Sequence, residues 1–367
     1  MRKFLSRYVF TVLQGMTFGD WVALLRRNNY AVDRACLPRA MFLTATTLAN
    51  SSHAAIENRL YGPRIDATQV EPPLFIVGHY RSGTTHLHNL LALDPRFAYP
   101  NTYQALYPHT FLITERFTAP IAAALMPRKR PQDNMDARID LPAEDEFALC
   151  NGTGLSPYMR WAFPRGEDHY ERYLTFEGVP QDEVARWQNG LVRFLKKLTW
   201  KYGRPLILKS PPHTARLRLL LEMFPGARFV HIRREPYTVF VSTRHLWRTC
   251  PSAYWLQRAD FPDADDRIIA TYRTMYDAYF DQRRLIPPGQ HHELAYEDLE
   301  RDPIGQLELL YERLGLTDFD SVRSRAKEYL ESIAGYRKTQ HPELPEPLRE
   351  KIGGAWGRCF DEWGYPR

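Results

Sequence analysis

The 367-residue sequence predicts an α/β fold: a parallel sheet flanked by helices and preceded by a helical extension. Three stretches carry that expectation. Residues 72–91 (PPLFIVGHYRSGTTHLHNLL) read as an apolar strand, a glycine-bounded loop and a helix, and residues 205–224 and 228–242 repeat the same strand-to-helix sense. Short apolar runs without alternation are what parallel strands covered on both faces require, and helices between them supply the crossovers.

The elements follow in order. Arg2, Lys3 and Arg7 precede an apolar run, Tyr8 to Leu13, that resembles a short signal peptide. No small-residue cleavage pattern follows, and Asp20 with Arg26 and Arg27 interrupts the run well short of a bilayer span. The expectation is instead a helix with Phe4, Tyr8, Val12 and Leu13 on one face, docked on the protein or lying peripherally on a membrane. Trp21, Leu24 and Leu25 mark one further helix and 31–48 another; Ser51-Ser52-His53 opens a third that runs to Leu60. Tyr61-Gly62-Pro63 and Pro72-Pro73 then punctuate the approach to the first strand.

After that strand, loop and helix, residues 97–109 are rich in aromatics. A helical run, 111–126, stops at Pro127, and an irregular segment leads to Glu144-Asp145-Glu146. Residues 167–202 read as helices with Trp187, Leu191, Phe194, Leu195 and Leu198 at core spacing. A second strand ends in Lys209, and a proline-fixed turn then presents His213. A third strand, 228–232, ends in Arg233-Arg234, and the helix after it carries Ser242. The domain division expected is a helical extension over 1–70 and an α/β domain over 71–367, with a helical insertion at about 97–203.

Composition bounds the function classes. A 44% hydrophobic content supports a sizeable core, and 25% charged residues argue against disorder. The net charge of +6 favours an anionic ligand, but Lys and Arg are dispersed without aromatic interleaving, so nucleic acid is not expected as a partner. Four separated cysteines form no C-x-x-C pair and fit neither zinc nor a disulfide framework. His86 and His88 lack an acidic or cysteine partner at ligand spacing, so no metal is implied. Buried thiols suggest a reducing cytoplasm, with association at a membrane surface left open by the first helix.

The loop His79-Tyr80-Arg81-Ser82-Gly83 and the helix opening at Thr84-Thr85 place orphan N–H groups and a positive helix end around one point, the arrangement that cradles phosphate. The spacing from Gly78 to Gly83 matches a nucleotide P-loop, but Thr84 stands where its lysine would be, and the cation comes earlier, at Arg81. Arg81-Ser82-Gly83-Thr84-Thr85 resembles the 5′-phosphosulfate loop of sulfotransferases that use 3′-phosphoadenosine 5′-phosphosulfate (PAPS). The stretch from Pro72 to about Pro108 resembles the bacterial "sulfotransferase family 3" group, and the likeness extends over roughly residues 70–335. Arg234, followed eight residues later by Ser242, is similar to the family's 3′-phosphate element, and Tyr296-Glu297-Asp298-Leu299 to a segment whose tyrosine lies near the adenine.

The resemblance implies a P-loop-like fold, PAPS as co-substrate, and a cofactor set of Arg81, Ser82, Gly83, Thr84, Thr85, Arg234, Ser242 and Tyr296. Lys338, in the basic tail, is a further candidate for a phosphate contact. Arg81 would stabilise the leaving phosphate, and Lys209 resembles a lysine that contacts the sulfonate. The proton-taking group is open between His213 and Glu144. Pro211 occupies the place where cytosolic members carry their histidine, and other branches use a substrate-side glutamate. The acceptor is expected to be a small molecule, lipid or glycoside bearing a hydroxyl or amine. Two rivals stand beside this: a P-loop nucleotide kinase or NTPase, disfavoured by Thr84 and by Arg233-Arg234 in place of a magnesium-binding aspartate, and a catalytically silent binding module of the same fold.

Overall fold

The computed structural model describes residues 11–126, 129, 137–166, 168–249, 254–258, 261–336 and 342–367. The chain groups into two compact units. Residues 1–71, 98–206 and 249–260 make one, so the leader and the segment expected as an insertion belong together; residues 72–97, 207–248 and 261–367 make the other.

The second unit holds the sheet. Its four strands are β1 (Leu74–Val77), β2 (Ile207–Lys209), β3 (Arg228–Arg233) and β4 (His291–Ala295). They lie in the order β2-β1-β3-β4 and all pair in parallel. From β1 the chain reaches β2 on one side, then crosses to β3 on the other, so β1 and β3 flank a reversal of strand order. In open parallel sheets the carboxyl edge at such a reversal is where ligands bind.

Strand alternation sorts the side chains. Leu74 and Ile76 share a core with Val230, Ile232, Ile207 and the apolar stripe Leu87, Leu90 and Leu91 of the Thr84–Leu91 helix. On the other face Phe75 stacks on Phe229 with ring centroids 5.5 Å apart. Every β1 residue is buried, and the four-residue apolar run is the consequence.

That second face also carries a polar network. His231 Nδ1 lies 2.7 Å from Glu293 Oε2, the Tyr279 hydroxyl donates to the same oxygen at 3.0 Å, and His291 Nε2 lies 3.0 Å from that hydroxyl. Burial pushes Glu293 up, but the bonds from His231 and Tyr279 outweigh it and draw the carboxyl down to about 2. Burial, reinforced by the charge of His231, lowers His291 from 6.5 to about 4. Both folded-state values lie below the unfolded ones, so both contributions are complete at neutral pH and decay on acidification. The His291 contribution is lost between pH 6.5 and about 4, and that of Glu293 between 4.5 and about 2. Thermal midpoints should fall through both windows as the pH is lowered. His291→Asn should flatten the upper window and Glu293→Gln the lower; an unchanged pH dependence in both variants would refute the assignment.

In the first unit, one 31-residue helix, Leu37–Ala67, runs through the positions expected to divide it. Ser51 does not cap a new helix: its hydroxyl accepts the Phe18 N–H, while Ser52 donates back to Leu48 O within the helix. The helix also passes Pro63, because its last turn is tied down: Ile65 is buried, Lys196 donates to Asp66 O, and Arg193 pairs with the Asp66 carboxylate. The Gln181–Tyr202 helix buries Trp187, Leu191, Phe194, Leu195 and Leu198, as its periodicity predicts. Of the expected first helix, Val12 and Leu13 are buried, while Phe4 and Tyr8 lie outside the described residues.

Candidate active site

The loop after β1 turns through three positive φ angles: Gly78 at 144°, Arg81 at 69° and Gly83 at 100°. Its closure is local. The Ser82 N–H and hydroxyl both donate to His79 O, at 3.1 and 2.7 Å. Ser82, expected to bind phosphate, therefore spends its donors on shaping the loop. Two further anchors fix it from outside: the Thr214 hydroxyl accepts the Gly78 N–H at 2.7 Å, and the Tyr276 hydroxyl accepts the His79 N–H at 3.1 Å. Nothing in the sequence marked Thr214 or Tyr276, since the loop reaches both across long sequence separations.

Gly78 and Gly83 are glycines for steric reasons. A Cβ on Gly78 would stand 2.5 Å from Ile232 O, and one on Gly83 would stand 2.3 Å from Tyr296 Cδ2. Gly83 occupies the N-cap of the Thr84–Leu91 helix. The first N–H groups of that helix have no carbonyl within it to bond, and the macrodipole adds positive potential where Thr84 and Thr85 begin.

Arg81 and Arg234 meet at this loop. Arg81 Nε donates to Ser242 Oγ at 2.9 Å, and an Arg234 terminal nitrogen donates to Arg81 O at 3.1 Å. The Arg234 guanidinium lies 4.2 Å from the centroid of Tyr296. Register explains the last contact, because Arg233 pairs with Ala295 and so sets the next residues, Arg234 and Tyr296, side by side. The neighbouring arginine turns elsewhere: Arg233 lies 3.9 Å from Glu293 and 5.3 Å from the Tyr365 ring centroid. Glu235 fills the N-terminus of the Pro236–Thr249 helix by accepting the Tyr237 and Thr238 N–H groups, which leaves Ser242 one turn further in to face Arg81.

Lys209 is 2% exposed at the end of β2, in register with Ile76 and so on the face covered by the Thr84–Leu91 helix. His88 of that helix is fully buried, and burial, aided by the charge of Lys209, holds its pKa well below 6.5. A neutral imidazole next to the lysine was not legible as a pair in the sequence. His213 is wholly enclosed, with its ring edge-on to Phe75 at 5.6 Å, on the opposite face of the sheet from Lys209. Glu144 belongs to the other unit, is partly exposed, and accepts a 2.6 Å hydrogen bond from the Tyr158 hydroxyl. Lys338 lies outside the described residues. Among the described residues no group of three or more His, Cys, Asp or Glu side chains is placed to hold a metal ion.

The fold and this cluster define a P-loop-like α/β enzyme whose cations gather at the carboxyl edge of a parallel sheet. A family model described as the sulfotransferase family matches residues 72–321. The sequence is 40% identical over 354 residues, 96% of this chain and 91% of the relative, to the omega-hydroxy-beta-dihydromenaquinone-9 sulfotransferase Stf3 of Mycobacterium tuberculosis (strain CDC 1551 / Oshkosh). The chain belongs to the sulfotransferase family, and its activity is that of a sulfotransferase. Solved structures share the fold: sulfotransferase STF9 from Mycobacterium avium (TM-score 0.68, 20% identity, 95% of this chain and 97% of that one) and STF1 from Mycobacterium tuberculosis H37Rv (0.66, 20%, 92% of each).

Proposed function

We propose that the enzyme transfers the sulfonate of PAPS to the hydroxyl of a lipid acceptor. The observation that carries the reading is the meeting of Arg81, Arg234, Ser242 and Tyr296 at adjoining ends of β1, β3 and β4. Two guanidiniums, a helix N-terminus and an aromatic ring suit an adenylate with phosphates at both its 5′ and 3′ positions. The co-substrate supplies an activated S–O bond. That bond breaks toward the 5′-phosphate, a new one forms to the acceptor oxygen, and the hydroxyl proton leaves to a base.

In this reading Arg81 takes up charge on the departing phosphate oxygen, Lys209 holds the sulfonate, and Arg234 with Ser242 binds the 3′-phosphate. Thr84 and Thr85 bind oxygens at the helix start. Positioning and charge neutralisation carry most of the rate in such loose group transfers. The proton-taking group stays between two candidates: the Glu144 carboxylate is partly exposed and accepts from Tyr158, whereas the His213 ring is enclosed edge-on to Phe75. The mycobacterial relative is named for a hydroxylated dihydromenaquinone, which supports a long apolar alcohol as the acceptor class. The buried thiols of Cys36, Cys150 and Cys359 support a reducing, cytoplasmic setting. No described helix is long and apolar enough to cross a membrane, so reaching a lipid acceptor would call for peripheral contact, for which the basic N-terminal residues are suited.

Calorimetric titration should show 3′-phosphoadenosine 5′-phosphate binding more tightly than ATP with magnesium, and mass spectrometry should show a hydroxylated isoprenoid quinone gaining one sulfonate. Tighter ATP binding would end the proposal. With Glu144 as the base, Glu144→Gln should lower kcat by roughly 10²–10⁴-fold with little change in nucleotide affinity, while His213→Asn should act mainly on stability. The reverse pattern would assign the base to His213.

A further inference from the structure

We infer that the solvent faces of the Leu37–Ala67 and Phe111–Leu125 helices dock this enzyme on an anionic lipid bilayer. The inference rests on the lipid-acceptor reading above. An ordinary surface helix turns polar residues to water. The Leu37–Ala67 helix instead buries Leu43, Thr47, Asn50 and Ile65 on one side and exposes Met41 (72%), Leu48 (51%), Ile56 (50%) and Leu60 (57%) on the other. The Phe111–Leu125 helix adds Phe117 (70%) and Ile121 (63%) one turn apart. Glu57 joins the two helices, its Oε2 accepting the Leu112 N–H at 2.8 Å and the Ile113 N–H at 3.3 Å. The two apolar faces thus sit on helices locked to each other.

Charge selects the occupant. From Leu37 to Leu60 the exposed charged side chain is Arg59, and Arg64 and Arg116 stand exposed beyond it. The carboxylates of these segments are matched by basic partners: Glu57 is buried against Lys197, Glu115 is held by Lys201, and the exposed Asp66, near the end of its helix, pairs with Arg193. Apolar side chains bordered by arginines, with each of these carboxylates paired, match a surface of acyl chains under anionic headgroups. A protein partner of like area would more commonly meet a mixed polar rim.

The test is co-sedimentation of the full chain with phosphatidylcholine vesicles, with and without phosphatidylglycerol. Wild type should bind the anionic vesicles at least tenfold more tightly. Met41→Ser/Phe117→Ser/Ile121→Ser should weaken binding to both vesicle types by more than tenfold, and Arg59→Gln/Arg64→Gln/Arg116→Gln should abolish the preference for phosphatidylglycerol. Both variants should keep wild-type affinity for 3′-phosphoadenosine 5′-phosphate and wild-type transfer to a short-chain, water-soluble alcohol. Unchanged vesicle binding in the variants would overturn the inference. So would a wild-type dimer, by sedimentation velocity, that the serine variant dissociates, which would give the face to a second copy. Wild type that ignores vesicles yet sulfonates a detergent-dispersed hydroxylated quinone would overturn the docking and leave the lipid acceptor standing. Failure to sulfonate any hydroxylated lipid in detergent would fall on the acceptor reading itself.

Discussion

Lys209→Ala should leave nucleotide affinity within about threefold of wild type and lower kcat by roughly 10²–10³-fold, the usual loss when one preorganised charge aimed at developing negative charge is removed. The size follows from burial. At 2% exposure the ammonium acts where water screens it little, and burial together with its charge holds its neighbour His88 neutral. Lys209→Arg should recover little of the loss, because a planar fork cannot replace a compact ammonium packed under the Thr84–Leu91 helix. Arg81→Ala should cost as much or more, since it removes both the cation proposed for the departing phosphate and the bond to Ser242. Arg234→Ala makes the contrast: it should raise the KM for PAPS by about 10–100-fold with kcat nearly kept, as expected when a charge-assisted contact serves binding alone. Steady-state kinetics with titration of 3′-phosphoadenosine 5′-phosphate would decide. Equal kcat losses in the Lys209 and Arg234 variants would refute the division of roles.

Much of this site was legible because the physics there is local. A strand covered on both faces must be apolar throughout, so Leu74–Val77 announced itself, and a loop that turns through left-handed angles needs Gly78 and Gly83. Arg234 and Ser242 were singled out by their resemblance to a family element, and both meet Arg81, Ser242 through the Arg81 Nε and Arg234 through the Arg81 carbonyl. Other features rest on contacts no local pattern encodes. The long helix ignores Ser51 and Pro63 because Phe18, Lys196 and Arg193 supply distant partners. Tyr276 and Thr214 hold the loop from far along the chain. His213 looked available in the sequence, following a lysine at a strand end, but its ring turns to Phe75 and away from the lysine's face. The sign of strand alternation at that turn decides this, and a proline-fixed 3-10 turn, Pro211–Ala215, hides it.

Gly83→Ala should damage nucleotide binding severely. At φ +100° an alanine is strained by about 1–3 kcal/mol before any contact is counted. Its Cβ would also stand 2.3 Å from Tyr296 Cδ2 and 2.9 Å from Cε2, so ring or loop must move. The ring cannot move alone, because the Arg234 guanidinium lies over it and Arg234 in turn donates to Arg81 O. One methyl therefore pushes on both arginines and on the helix start that Gly83 caps. We expect nucleotide affinity to fall by more than about 100-fold, nearly 3 kcal/mol, and kcat to fall with it. Gly315→Ala is the control. Its φ of +60° is also left-handed, but its added Cβ meets nothing within 4 Å, so the change should cost about 1–2 kcal/mol of stability and leave kinetics intact. Equal effects of the two substitutions on nucleotide binding would mean that backbone strain, rather than the contact with Tyr296, governs the loop.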